Sequence, residues 1–135
     1  MYGASDATFL VLCGHPLDQT VINALESAAE ALGHTTGCAA LSLDELDRDG
    51  TELVDFIYQV DPWCVIPIDD ASIARLCDAF PEETRKFAGD CPVKVGAGYL
   101  LVAVPGFAKC LDNPSLKRLC WERLKAARHP GNPLG

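Results

Sequence analysis

The feature that most restricts the fold is an alternation between short apolar segments and longer segments with helical periodicity. Residues 8–13 (TFLVLC) and residues 63–68 (WCVIPI) contain no charged side chain. Runs of this kind are typical of strands that are covered on both faces, as in a parallel sheet. The segments between them repeat apolar residues at helical intervals, as amphipathic helices do. The alternation therefore predicts an α/β fold, with a mainly parallel β-layer between two layers of helices.

The same pattern places the individual elements. The main strands are predicted at residues 8–13, 38–43, 63–68 and 99–104, and residues 93–95 form either an extra edge strand or part of one strand kinked at its glycines. Helices are predicted from Asp18 or Thr20 to Gly33, from Thr51 to Asp61, from Asp69 onward, and from Asn113 into a basic segment. Right-handed crossovers then give the order 2-1-3-4 for the four main strands, a small doubly wound sheet in a single domain spanning residues 1–135.

Three details of the pattern carry local predictions. Ser42 and Glu45 form a capping-box pattern that leads into a short acidic turn. Pro67 cannot donate to a ladder, so it is expected near the exit of its strand or at a bulge. The last helix is expected to bury a stripe of five residues and to be followed by an irregular tail. The stripe consists of Leu116, Leu119, Cys120, Leu124 and Ala127.

The seven cysteines are expected to be reduced thiols. Their number is odd and no CxxC pair occurs, which argues against a disulfide framework and against a zinc site. The N-terminus lacks a basic segment followed by a long apolar core, so no secretory signal is predicted. The longest apolar runs fall far short of the roughly 20 residues that a membrane span needs. Together these features predict a cytoplasmic protein with no membrane partner.

The net charge of −8 is unevenly distributed along the chain. Acidic residues dominate up to residue 108, whereas residues 109–135 contain six Lys and Arg against two acidic residues. The overall acidity argues against non-specific nucleic-acid binding, which needs a concentrated positive face. The basic segment is either an anion-facing surface or an ordinary helix with cations toward its C-terminal end. Trp121 lies off the centre of the apolar stripe, so this tryptophan either belongs to a surface for homo-oligomerisation or covers a neighbouring loop.

The loops after the first and third strands contain the candidate catalytic residues. In an open α/β sheet, ligands bind outside the carboxyl ends of the strands where the strand order reverses, which here lies between strands one and three. His15 and Asp18 follow the first strand, and Asp69 and Asp70 follow the third. A histidine beside carboxylates suits general acid–base chemistry near neutral pH. In the structural alternative, Asp18 and Asp70 cap helices and His15 bonds a turn carbonyl.

Candidate ligand-binding residues lie in the first loop and after the last strand. They are Gly14, Pro16, Thr20, Gly106 and Phe107. The first loop matches neither the dinucleotide-binding nor the triphosphate-binding glycine motif, although the amides near Thr20 are suited to a phosphate. The acidic run at residues 45–50 lacks the Glu that a calcium loop needs at its twelfth position. The residues themselves predict no metal site and identify no cofactor.

The expected function is binding of a small molecule or nucleotide-like ligand at this edge of the sheet, with acid–base chemistry of the hydrolase type. One alternative is a base-removing hydrolase acting on nucleic acid, which requires Lys109, Lys117 and Arg118 to share a face with the crevice. The other is a non-catalytic interaction or dimerisation module. The sequence alone leaves open whether the protein is an enzyme.

Two resemblances accompany these interpretations. Residues 9–34, FLVLCGHPLDQTVINALESAAEALGH, resemble the start of flavodoxin-like quinone reductases, with a strand, a His-Pro loop and a helix that ends in Gly-His. In that family the loop and the helix start hold the flavin phosphate. The resemblance therefore implies such a role for His15, Pro16, Thr20 and Asn23.

The second resemblance is to the uracil-DNA glycosylase fold. The expected four-stranded order is similar, and the tail at residues 129–134 (HPGNPL) resembles that family's His-Pro-Ser-Pro-Leu loop. This resemblance implies a hydrolase that removes bases from nucleic acid.

Overall fold

The chain forms a five-stranded, mostly parallel sheet in a computed structural model that describes residues 2–85 and 92–129. The strands are β1 (Phe9–Cys13), β2 (Cys38–Ser42), β3 (Cys64–Pro67), β4 (Val93–Val95) and β5 (Tyr99–Leu101). The α-helices of the described residues are α1 (Gln19–Ala31), α2 (Leu43–Asp49), α3 (Leu53–Val60), α4 (Asp70–Ala79), α5 (Phe107–Cys110) and α6 (Pro114–Leu124), and a 3₁₀ turn (Lys125–Ala127) follows α6. The strand order β2-β1-β3-β5-β4 confirms the predicted architecture, since β5 is the fourth main strand and β4 is the extra edge strand.

The central strand β1 has no polar face because both sides of the sheet are covered. Phe9, Val11 and Cys13 pack into one apolar cluster with side chains of α1 and α6. Leu10 and Leu12 pack into a second cluster with side chains of α2, α3 and α4. β1 pairs in parallel with β2 on one side and with β3 on the other. The continuous apolar run in the sequence thus reflects burial on two faces.

The predicted position of Pro67 is confirmed. Of the two interpretations of residues 93–104, the strand pair is the correct one. Pro67 is the last residue of β3, and its carbonyl accepts from Val104 N–H at 2.9 Å. β4 and β5 are antiparallel and form a strand pair joined by a tight turn. Gly96 and Gly98 have φ values of 57° and 103°, a region that favours glycine, so the turn needs both of them.

The outer edge of β2 is covered by the start of the chain. Tyr2 and Ala40 exchange two backbone hydrogen bonds of 3.0 and 2.9 Å in an antiparallel bridge. Gly3 follows with φ of 91°, and a Cβ atom there would overlap the Cys38 carbonyl. Glycine is therefore required for this segment to lie so close to β2.

Two short helices differ from the sequence expectation. The acidic segment after β2 is the seven-residue helix α2, where a turn was expected. Ser42 caps it by accepting from Glu45 N–H at 3.2 Å, and the Glu45 side chain accepts from the Ser42 hydroxyl at 2.9 Å. The predicted cap is confirmed. The segment is a helix because the buried Leu43 and Leu46 pack one of its sides against the core. The short helix α5 after β5 was not predicted.

The predicted buried stripe of α6 is wrong in its first half. Leu116 and Leu119 are 43% and 60% exposed, whereas Cys120, Leu124 and Ala127 are buried as expected. The first turns of α6 lie beside the short helix α5, and only the later turns contribute side chains to the core cluster on the sheet. Periodicity identified the helix but could not show which of its apolar side chains reach the core.

His34 is the most deeply buried ionisable ring among the described residues, with 2% of its surface exposed. Its Nε2 lies 2.7 Å from the Ala127 carbonyl oxygen, and its Nδ1 lies 2.7 Å from Thr8 Oγ1. A carbonyl only accepts, so Nε2 carries the proton and Nδ1 accepts from the Thr8 hydroxyl. The ring thus joins the end of α1, the start of β1 and the turn after α6.

The six cysteines within residues 2–85 and 92–129 all carry free thiols. No helix in these two ranges is long and apolar enough to cross a bilayer. The tail predicted to be irregular extends outside the described residues.

Candidate functional site

The exits of β1, β2 and β3 meet at one edge of the sheet. Gly14 N–H donates to Asp69 Oδ2 at 2.8 Å, and Asp44 N–H donates to the Gly14 carbonyl at 3.4 Å. A Cβ atom on Gly14 would approach Ala71 Cβ to 3.3 Å, so glycine allows this close meeting. This meeting point, formed by Gly14, His15, Asp44 and Asp69, is called the carboxyl rim. It extends from the exit of β2 to the exit of β3 and includes the point between β1 and β3 where the strand order reverses.

Asp69 is a structural centre of the carboxyl rim. Besides Gly14 N–H, its carboxylate accepts from the Ser72 N–H at 2.9 Å and from the Ser72 hydroxyl at 2.7 Å. Asp69 is therefore the N-cap of α4, and Asp70 is the first residue of the helix. The structural alternative that made Asp70 the cap is wrong by one residue. With three donors engaged, the Asp69 carboxylate fixes the two loops relative to each other.

His15 lies at the surface of the carboxyl rim, paired with Asp44. Its Nδ1 is 2.8 Å from Asp44 Oδ2, and the two side chains are 87% and 50% exposed. An ionised carboxylate only accepts, so Nδ1 carries the proton, and Nε2 has no partner among residues 2–85 and 92–129. The hydrogen bond to Asp44, followed by the charges of Asp44 and Asp69, raises the pKa of His15.

Asp44 was missed by sequence reasoning, although a signal for it was present. Ser42 begins a capping pattern directly after β2, so Asp44 had to lie in the first turn of whatever followed. β2 is parallel to β1, and its carboxyl end therefore reaches the same edge. Reading the second strand's exit together with the first and third would have placed a carboxylate beside His15.

The Cys13 thiol lies beneath the carboxyl rim. It is buried and its Sγ is 3.5 Å from the Leu41 carbonyl oxygen. Burial, with the negative charges of Asp69, Glu45 and Asp44, raises the pKa of this thiol to about 12. A thiol with this pKa stays protonated near neutral pH and is a poor nucleophile.

The remaining predicted site residues are more scattered. Asp18 is the N-cap of α1 and accepts from Val21 N–H at 3.0 Å. Pro16, Thr20 and Asp70 are exposed near the starts of α1 and α4. Gly106, with φ of 73°, precedes α5, and Phe107 is buried in the core cluster on the α1 face. Phe107 therefore packs inward and does not form an exposed wall at the carboxyl rim.

The geometry does not suit the flavin phosphate that the quinone-reductase resemblance implies. The Gly14 and Val21 amides, which a phosphate at this loop would use, already donate to Asp69 and Asp18. A phosphate would also meet the carboxylate of Asp44. No group of three metal-ligating side chains occurs within the described parts of the chain.

Lys117 and Arg118 lie at a cavity between α1 and α6. No described contact joins either side chain to the His15–Asp44 pair. The base-removing hydrolase alternative requires these cations to share a face with the crevice, and the described contacts do not support this. The tail motif of that alternative, which begins at His129, extends outside the described residues.

No known protein-family model matches the sequence, and no curated protein matches it significantly. The function has to be inferred from the chemistry of the carboxyl rim itself.

Proposed function

We propose that the chain binds a small polar molecule at the carboxyl rim and that His15 exchanges a proton with it. The observation that carries this proposal is the 2.8 Å hydrogen bond between His15 Nδ1 and Asp44 Oδ2, which joins the exits of the neighbouring strands β1 and β2. Asp44 fixes the tautomer and the orientation of the ring. Nε2 is thereby left to donate to, or accept from, a bound molecule, as in other carboxylate-oriented imidazoles.

The raised pKa of His15 favours a role for the ring as the proton donor to the ligand. Because Asp44 stabilises the charged ring, a larger fraction of His15 is protonated near neutral pH than for an unpaired histidine. The imidazolium donates from Nε2, so its role is that of a general acid toward an electronegative atom of the ligand. Asp69 acts only by holding Gly14, and hence the loop that contains His15, in place.

The charge of the carboxyl rim restricts the class of ligand. Asp44 and Asp69 belong to it, and Asp18 and Asp70 begin the neighbouring helices. These carboxylates oppose a second anion and favour an uncharged or cationic ligand. Among nucleotide-like ligands, a nucleoside or a free base therefore suits this site better than a phosphorylated nucleotide.

We expect Asp44→Asn to lower the pKa of His15 toward the ordinary value of about 6.5. The amide keeps the size of the side chain but removes the negative charge that stabilises the imidazolium. NMR titration of the His15 ring protons measures the change directly. Asp70→Asn removes an exposed carboxylate that has no hydrogen bond to His15, and we expect it to leave the titration unchanged. Equal pKa values for His15 in wild type and in Asp44→Asn would remove the basis for an oriented general acid.

Ligand binding is tested by adding uridine, adenosine and their 5′-monophosphates to ¹⁵N-labelled protein. We expect saturable shifts of the His15 ring signals and the Gly14 amide with a nucleoside and weaker shifts with the matching monophosphate. In His15→Gln we expect the shift of the Gly14 amide to be lost. His129→Gln is the control, because this histidine lies by the ring of His34 and away from the carboxyl rim. Shifts confined to other residues, or no shifts with any of the four compounds, would refute the proposal for this ligand class.

A further inference from the structure

An apolar cavity lies between α1, α5 and α6. Its volume is about 530 Å³, within the roughly 300–1,000 Å³ that is typical of small-molecule sites. Ala24, Ala28 and Ala31 of α1 form one wall, and Phe107, Trp121 and Leu124 form the opposite one. The small side chains of α1 do not fill the space between the helices.

The charged residues at this cavity have one sign. Lys117 and Arg118, in the first turns of α6, are exposed and line it, and none of the described lining residues is acidic. Neither cation makes an ion pair or a side-chain hydrogen bond with another described residue. Lys125 differs, since its Nζ lies 3.0 Å from Glu122 Oε1. Two unpaired cations beside an apolar pocket complement a ligand that has an apolar chain and an anionic head.

We propose that this cavity binds an aliphatic monocarboxylate. The hydrocarbon chain lies between the alanines of α1 and the Phe107–Trp121 wall, and the carboxylate meets Lys117 and Arg118. This site is independent of the carboxyl rim, which is acidic and suits the opposite charge. The exposed Leu116 and Leu119 lie on the same helix, and Leu119 lines a smaller adjoining depression with Arg118.

The proposal is tested by titrating the protein with octanoate and with 1-octanol, which share the chain and differ in the charged head. Trp121 lines the cavity and is one of two tryptophans, so its fluorescence in a Trp63→Phe background reports occupancy. Calorimetry on the wild-type chain gives the same affinities if Trp63→Phe does not fold. We expect octanoate to bind more tightly than octanol.

Three variants separate the contributions. Replacing both cations (Lys117→Gln with Arg118→Gln) is expected to weaken octanoate about fivefold and to leave octanol unchanged, since only the anion loses its partners. Arg48→Gln removes an exposed cation of α2, which packs on the opposite face of the sheet, and is expected to change neither affinity. Ala31→Trp fills the cavity from an exposed position on α1 and is expected to abolish both.

Three outcomes would overturn the proposal. The first is no binding of either compound to the wild-type chain. The second is equal weakening of octanoate and octanol by the double replacement, which would remove the assignment of the anionic head. The third is a dimer in sedimentation velocity that Ala31→Trp dissociates, which would assign the cavity to a second copy of the chain.

Discussion

Replacing His34 by alanine is expected to lower the free energy of unfolding by about 3–5 kcal/mol. The ring is buried, it contacts the Phe9 ring with centroids 5.1 Å apart, and both of its nitrogens are hydrogen-bonded. Alanine leaves a cavity and removes the partner of the Ala127 carbonyl and of the Thr8 hydroxyl at once. Urea unfolding followed by circular dichroism measures the loss, with an unchanged m-value as the sign that the native state is retained.

The matched control is His15→Ala, which removes the same side chain from an exposed position. A surface ion pair contributes about 0–1 kcal/mol, so this variant should unfold close to the wild-type midpoint. A loss of less than about 1 kcal/mol in His34→Ala would contradict the buried hydrogen-bonded geometry, since burial and two hydrogen bonds cannot cost so little to remove.

The same histidine gives the stability a pH dependence with a defined sign. Burial lowers the pKa of His34 in the folded chain, so below about pH 6.5 the unfolded chain takes up a proton that the folded chain does not. Stability is therefore expected to fall as the pH is lowered through this value. His15 has a raised pKa and acts in the opposite sense, but it is exposed and its effect is small. His34→Phe should remove most of the fall between pH 7 and 5, and an unchanged slope would show that other groups cause it.

Replacing Asp69 by alanine is expected to lower the free energy of unfolding by about 2–4 kcal/mol. Loss of a helix N-cap costs about 1 kcal/mol, and leaving the Gly14 N–H without its acceptor adds about 1–3 kcal/mol. The carboxylate accepts from three donors, so no other described group takes over all of its contacts. Thermal and urea unfolding both measure the change.

Asp70→Ala is the control for Asp69→Ala, because the two carboxylates are adjacent in the chain. Asp70 is exposed and makes no cap hydrogen bond, so its replacement is expected to change stability by about 0.5 kcal/mol or less. Equal effects of the two replacements would mean that the contribution comes from general charge at the start of α4, with no specific role for the Asp69 contacts.

The parts of the fold that follow from local sequence pattern were predictable, and the parts that depend on tertiary contacts within the chain were not. β1 and β3 are continuously apolar because both of their faces are covered, and that burial is visible in the letters. Leu116 and Leu119 have the spacing of a buried stripe, yet they are exposed, whereas the adjacent Cys120 is buried. A periodic pattern reports that a helix has an apolar side, but it contains no information on how far the underlying surface extends.

The candidate site divides in the same way. Gly14, His15 and Asp69 could be assigned to one edge because the order of parallel strands determines which loops meet. The choice of Asp44 as the partner of His15 depends on a helix that begins directly after β2, where the acidic letters alone favoured a turn. Assigning hydrogen-bond partners required the capping geometry of α2 and α4, which shifts by one residue with the helix start.

Both edge strands of the sheet have features that hinder pairing with a further strand. On one side the Tyr2–Ala40 bridge already occupies part of the free edge of β2. On the other, β4 has only three residues, follows Pro92 and presents the exposed Lys94, features that hinder pairing with another chain. Association by strand addition, the usual route to extended sheets and fibrils, is therefore hindered at both edges of the described sheet, which favours the helical faces as surfaces for contact between copies.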